Sequence, residues 1–251
     1  MDKTLLEICC GSIDDAIQAE AGGADRVELC SALFLGGLTP SLGTLMETSK
    51  RLKIPIIAMV RPRGGGFCYT DAEFAAMERD IELALGNGAN GIVSGILQAD
   101  GTIDEPRCRR IREAIGLREA VFHRAFDVTP DPLRALDQII DLGFTRVLTS
   151  GQKKSVAEGL ELIRKLVDHA RGRIEILPGG GVPKYALREV VDKTGCGQVH
   201  ITAFGVQPDH STDARPFMTF GGALYPAENQ FLMTDRRLVH EMVQSLAKEK
   251  L

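Results

Sequence analysis

Two tripeptides of one form, Glu7-Ile8-Cys9 and Glu28-Leu29-Cys30, carry the most chemistry in this chain. Each closes a short apolar run that reads as a β-strand. A strand sends alternate side chains to opposite faces, so in each copy the Glu and the Cys point one way while Ile8 or Leu29 points the other. On neighbouring strands this puts two carboxylates and two sulfurs on one side of a sheet. Paired thiolates suit Cu(I), and mixed Cys and His sets suit zinc. Carboxylates in the same place are the groups of acid–base catalysis, and calcium or magnesium is a poorer match to two sulfurs.

The elements that position these residues follow one repeated grammar. After Cys10, Ser12 with Asp15 predicts an N-cap for a helix through Ala16, Ile17 and Ala21, stopped by Gly22-Gly23, and a second strand spans Arg26 to Cys30. Further strands are expected over Ile54–Arg61, Gly91–Ile96, Ala120–Asp127, Arg146–Ser150, Ile174–Leu177 and Gln198–Phe204. Helices start between them, at Ser41, at a Thr70/Glu73 capping box, at Asp104-Glu105-Pro106, at Thr129-Pro130, at Ser155/Glu158 and near Pro183. Eight such units predict an α/β fold: a single-domain (β/α)8 TIM barrel over residues 1–251. An open doubly wound sheet is disfavoured, because the first turn, Cys10-Gly11-Ser12, lacks a G-x-G-x-x-G fingerprint. Residues 205–231 read as an irregular segment, and Asp235–Lys248 as a closing helix with Leu238, Met242 and Leu246 on one face.

In this fold chemistry collects at the C-terminal ends of the strands. Taking the face with smaller or ionisable residues as inward gives Glu7, Cys9, Glu28, Cys30, Arg61, Ser94, His123, Asp127, Thr149, His200 and Thr202. Arg124 falls on the face of Phe122 and Phe126. Charges inside a filled barrel must be paired, and Arg61 between Glu7 and Glu28 would pair them. His123 is a third candidate ligand beside Cys9 and Cys30. The glycine runs add an anion signal: Gly179, Gly180 and Gly181 follow the seventh strand, where barrels often cradle phosphate, and Gly64-Gly65-Gly66 follows Arg61 and Arg63.

Composition removes several classes of function. The chain has 251 residues, 44% of them hydrophobic, with 30 basic and 34 acidic residues interspersed to a net charge of −4. No basic stripe offers itself to nucleic acid, so none is expected as partner. The longest apolar run, Ile54 to Val60, is broken by Pro55 and far too short to cross a membrane. No signal peptide is read at the N-terminus. Six scattered cysteines without a C-x-x-C pair point to a reducing, cytoplasmic setting. G-x-S-x-G, H-E-x-x-H and Walker motifs are absent.

The chain resembles the CutC family, whose members are labelled copper homeostasis proteins. The resembling segments include Leu6-Glu7-Ile8-Cys9, Ala24-Asp25-Arg26-Val27-Glu28-Leu29-Cys30-Ser31, Val60-Arg61-Pro62-Arg63-Gly64-Gly65, Phe122-His123-Arg124-Ala125-Phe126-Asp127 and Pro178-Gly179-Gly180-Gly181-Val182. The resemblance implies a cytoplasmic (β/α)8 barrel, commonly a homo-oligomer (dimer or tetramer), that binds or carries Cu(I). It places the favoured Cu(I) ligands on Cys9 and Cys30. Two departures stand out: Tyr185-Ala186 where the family usually has an early-helix Asn, and Thr202 where it has Ser. Two readings of function follow. In one, Cys9 and Cys30 bind Cu(I), with His123, while Glu7, Glu28 and Arg61 set the charge. In the other, the barrel is an enzyme on a small anionic or phosphorylated metabolite, with Glu7, Glu28 or His123 as acid and base and Arg61 with Gly179–Gly181 holding the anion.

Overall fold

The computed structural model describes residues 3–220 and 228–247. Its inner wall is eight short parallel strands: β1 (Leu5–Cys10), β2 (Arg26–Leu29), β3 (Ile56–Met59), β4 (Gly91–Ser94), β5 (Glu119–Phe122), β6 (Arg146–Thr149), β7 (Glu175–Pro178) and β8 (Gln198–Ile201). β1 to β7 pair in chain order, and β8 pairs with the free edge of β1. A single parallel bridge from Gly179 to His200 brings β7 and β8 together and nearly closes the barrel. The expected (β/α)8 architecture is therefore the observed one.

Helices α1 (Ile13–Gly22), α2 (Leu42–Arg51), α3 (Asp71–Gly86), α4 (Glu105–Ile115), α5 (Pro132–Asp141), α6 (Val156–Ala170) and α7 (Leu187–Thr194) follow the first seven strands in turn. Their starts show why the chain turns where it does. Ser12 accepts the Asp15 N–H, and Thr70 with Glu73 forms the full capping box. Asp104 caps α4 just before Pro106. At α5 the cap is Asp131 with Pro132 in the first turn, two residues beyond the expected Thr129-Pro130.

The alternation of the strands separates two apolar clusters. Leu6, Ile8, Cys10, Val27 and Leu29 face outward into the layer between barrel and helices, together with Phe122 and Phe126. Cys9, Cys30, Ile57, Met59, Val93, Val121, Leu148 and Leu177 fill the interior. Glu7, Cys9, Glu28 and Cys30 thus share the inner face, as the repeated tripeptide implies. Ser94 and Thr149 do not: Val93 and Leu148 take the inward positions. Ser94 donates its hydroxyl to the Val60 carbonyl at 2.9 Å, and Thr149 to Asp127 at 2.5 Å.

Three further expectations are corrected. The fifth strand ends at Phe122, and Arg124–Val128 winds into a 3-10 turn. The glycine run after β7 does not open a helix at Pro183, because α7 starts only at Leu187. Within residues 205–231, read as irregular, the chain forms β9 (Phe204–Pro208), antiparallel to β10 (Gln230–Thr234), with residues 221–227 outside the described ones. Helix α8 (Arg236–Ala247) then packs on α1, where Gly22 lies directly against Val239. Among the described residues no helix is long and apolar enough to cross a membrane.

Candidate functional site

At the C-terminal mouth of the barrel lies a cavity of about 580 Å³. Cys9, Glu28 and His200 reach it from the strands beneath, and Arg61, Phe67 and His123 line it as well. Leu33, Phe34 and Leu35 from the β2–α2 loop and Phe204 and Leu232 from the hairpin supply apolar walls, with Arg124, Gly180, Gly181 and Lys184 also on the lining.

Strand register builds the polar cluster beneath it. Cys9 stands opposite Glu28 across β1 and β2, and Glu7 opposite His200 across β1 and β8. Glu28 Oε1 lies 3.5 Å from the Cys9 sulfur and 3.3 Å from the Cys30 sulfur. One ligand atom from each of Cys9, Glu28 and Cys30 falls within 4.8 Å of the others, and the same holds for Glu7, Glu28 and His200. The carboxylate of Glu7 is held by the Arg26 guanidinium on one oxygen and by His200 Nδ1 at 2.7 Å on the other. From Arg26 the chain of polar contacts runs down the barrel: to Gln198 at 2.8 Å, on to Glu175 at 2.8 Å, and from there to Arg146, which also binds Glu119 at 2.9 Å.

These groups are buried, so their charges are set by one another. Burial would push Glu7 up, but the His200 hydrogen bond and the Arg26 charge outweigh it and hold its carboxyl well below the usual range. The Cys30 thiol beside Cys9, helped by His200, overcomes burial and brings Cys9 down to about 5. The same contact, with burial, pushes Cys30 well up. Burial raises Glu28 to about 8. His200 is held well above its ordinary value: burial opposes this, but Glu28, Cys9 and Glu7 prevail. The cluster thus sets Glu7 and Cys9, both shifted toward their anions, against the Arg26 guanidinium and a His200 shifted toward its cation, while burial shifts Glu28 toward its protonated form.

Several expected roles fall on other residues. Arg61 does not sit between Glu7 and Glu28; Arg26 is the partner of Glu7. Arg26 shares the parity of Glu28 and Cys30 on β2, so strand alternation alone could have pointed to it. Arg61 turns outward and donates to the carbonyls of Leu35 (2.8 Å), Gly37 (3.2 Å) and Gly65 (2.6 Å). Arg63 similarly holds the carbonyls of Gly64, Gly66 and Cys68. The loop of residues 64–66 thus shows carbonyls to arginines and not amides to an anion. His123 lines the cavity but belongs to neither group of clustered metal-ligating atoms found among the described residues. Asp127 points away from the barrel interior: it accepts from Thr149, from the Ser150 and Gln152 amides and, at 2.7 Å, from Arg124. That bracket delivers Arg124 to the cavity. Gly179 serves barrel closure, and Gly180, at φ +98°, lies so close under Arg124 that a Cβ would come within 2.7 Å of its guanidinium. Phe67 and Lys184 carried no sequence motif that marked them.

Fold and site together define a (β/α)8 barrel with a solvent-reaching pocket, largely apolar in its walls, over buried cysteines and carboxylates. The family model described as CutC family matches residues 4–205, and this chain belongs to that family. A family protein named CutC from Treponema denticola is 48% identical over 246 residues, 98% of this chain and all of the relative. The copper homeostasis protein cutC homolog of Homo sapiens is 41% identical over 92% of this chain and 85% of its own. Among solved structures, a CutC of Streptococcus agalactiae superposes with a TM-score of 0.76 at 37% identity, covering 78% of this chain and 97% of that one. An N-(5'-phosphoribosyl)anthranilate isomerase of Pyrococcus furiosus matches at a TM-score of 0.57 and 14% identity over 97% of this chain and 98% of that one, a likeness of fold alone.

Proposed function

We propose that this protein is a cytoplasmic Cu(I)-binding barrel that takes the ion as cargo on Cys9 and Cys30. The carrying observation is the meeting of two sulfurs and the Glu28 carboxyl within 4.8 Å beneath an open cavity. Two thiolates bound to one metal at roughly 2.3 Å each require sulfurs no more than about 4.6 Å apart, within reach of this pair. Soft sulfur suits Cu(I), and the lowered Cys9 supplies a thiolate without an external base. Cys9 borders the cavity while Cys30 lies fully buried behind it, so the ion enters past Cys9. Glu7, Glu28 and His200 form a harder donor set, in which Glu7 is already held by Arg26 and His200. The copper homeostasis names of the human and mouse relatives agree with this reading. Chelator competition tests it: the Cys9→Ser, Cys30→Ser double variant loses about 100-fold or more in Cu(I) affinity, and an unchanged affinity sinks the proposal.

A second reading is favoured by one observation: about 580 Å³ is far more room than a single ion needs. In it the cavity holds a small anionic metabolite for acid–base chemistry. Glu7 is locked by Arg26 and His200, which leaves protonated Glu28 as acid and the Cys9 thiolate as base. Incubation with small carboxylic acids in D2O checks this by NMR: exchange at the α-carbon that disappears in Glu28→Gln supports it, and no exchange in wild type overturns it.

A second copy of the chain is the proposed partner. Val206, Phe217, Phe220, Phe231 and Leu232 are exposed on and beside the β9–β10 hairpin. Light scattering of Val206→Asp should show dissociation to monomer; an unchanged mass would refute a hairpin-borne interface.

A further inference from the structure

The strand beside Cys30 carries another sulfur. β2 and β3 pair in parallel with Glu28 opposite Ile57 and Leu29 opposite Ala58, and continuing that register by one residue sets Cys30 beside Met59. Neighbouring strands lie about 4.8 Å apart. Both side chains turn inward: Met59 packs in the interior cluster with Cys9 and Cys30, and among the described residues it is the only methionine there.

Gly37, on the β2–α2 loop, roofs the pair. A Cβ built on it would lie 3.2 Å from the Cys30 sulfur and 3.5 Å from Cε of Met59. The Cys30 sulfur and this methyl carbon are therefore no farther apart than those two distances end to end, and Cε is bonded directly to the thioether sulfur. Gly37 has φ +85°, a conformation that residues with a Cβ rarely adopt, so the space above both groups stays clear of a side chain. Arg61 pins the loop in place through the Leu35 and Gly37 carbonyls. Met59 also lines the cavity, as Cys9 does.

Packing alone does not call for a thioether at this position. The other inward apolar positions of β3, β6 and β7 hold Ile57, Leu148 and Leu177, and a residue of that kind would fill the interior here as well. A thioether adds softness. Cu(I) selects thioether as well as thiolate sulfur, and in copper sites built on a thiolate a methionine can add a weaker, longer contact. It carries neither charge nor proton, so it binds a metal without disturbing the balance among Glu7, Cys9, Arg26 and His200. Its rotatable bonds let the sulfur turn toward an ion while β3 stays in place.

We propose that Met59 is a third sulfur ligand for Cu(I), making a longer and weaker thioether contact to an ion held closely by Cys9 and Cys30. The inference rests on the copper reading and adds one residue to it. With Cys9, Met59 is then one of the two sulfurs that an ion entering from the cavity meets before it reaches Cys30.

Carbon-13 methyl NMR of the full chain labelled at methionine, titrated with Cu(I), tests this. The Met59 methyl resonance, identified as the one missing from Met59→Leu, shifts on Cu(I) addition in wild type and stays still in the Cys9→Ser, Cys30→Ser variant. Met59→Leu nearly conserves volume, so its melting temperature stays close to wild type. In chelator competition it weakens Cu(I) about tenfold. Should the variant lose stability, the wild-type titration still decides. A Met59 methyl that does not move while Cu(I) binds overturns the proposal and leaves the cysteine pair standing, as does wild-type Cu(I) affinity in a folded Met59→Leu. Absence of Cu(I) binding in wild type overturns the copper reading, and the role of Met59 with it.

Discussion

The barrel interior below the cysteines and the wall at its mouth treat charge in opposite ways. Below, Arg26 has Glu7, Arg146 has Glu119 and Glu175, and His200 has Glu7 at 2.7 Å. At the wall, among the described residues, Arg61 has three carbonyls and no carboxylate, and His123 Nε2 has no partner. The first arrangement is complete without a ligand and serves to hold the strands in register. The second leaves Arg61 Nε and His123 Nε2 buried without partners among the described residues, so charge and hydrogen bonding there are less fully matched than in the interior network.

The sharpest way to break the comparison is to remove one arginine from each region. Arg26→Met removes one of the two cations that hold the buried Glu7 carboxylate and should cost about 3–5 kcal/mol in urea unfolding. Arg61→Met strands no charge, only carbonyls near a cavity, and should cost about 1–2 kcal/mol. Equal losses would mean that Arg61 is as structural as Arg26. Gly95→Ala acts on the wall alone: the new methyl meets the His123 ring and Phe122, and should lower stability by about 1–3 kcal/mol in the same assay.

Acid separates the regions further. Burial, with Arg61 nearby, lowers His123 from its ordinary 6.5 to about 3. Between these values the unfolded chain binds a proton there that the folded chain refuses, so this contribution to stability is present above 6.5 and is lost as the pH falls toward 3. The slope is at most about 1.4 kcal/mol per pH unit for one proton. Unfolding measured across that window should be less steep in His123→Asn than in wild type; parallel curves would contradict a neutral His123. The smallest signal comes from below the cavity. Cys9, lowered to about 5, should show the ultraviolet band of a thiolate through neutral pH and lose it on acidification. Cys9→Ser should remove that step, and a band that appears only above the ordinary thiol range would show that His200 and Cys30 do not stabilise the anion.

How much of this was legible in the sequence follows from the same physics. The alternation of β1 and β2 exposed the shared face of Glu7, Cys9, Glu28 and Cys30, because bulky Ile8, Val27 and Leu29 mark the other side. The rule failed at Ser94 and Thr149, where a small hydroxyl fits the outer face by bonding a carbonyl or Asp127. It failed again at Asp127, where the strand had already ended. Register was hidden altogether. That Cys9 stands opposite Glu28 and Glu7 opposite His200 depends on the stagger between strands, which no local pattern encodes. For the same reason Arg61 was given a partner that Arg26 already holds, and the hairpin of β9 and β10 was concealed among Pro, Gly and polar residues.

Whether the paired sulfurs or the histidine of the wall receive copper decides between ligand sets. X-ray absorption on Cu(I)-loaded protein addresses it most directly. Binding at the sulfurs predicts a first shell of two sulfurs at roughly 2.3 Å, retained in His123→Asn and lost in the Cys9→Ser, Cys30→Ser variant. A shell of nitrogen and oxygen alone, or a sulfur shell that survives the double substitution, would contradict it.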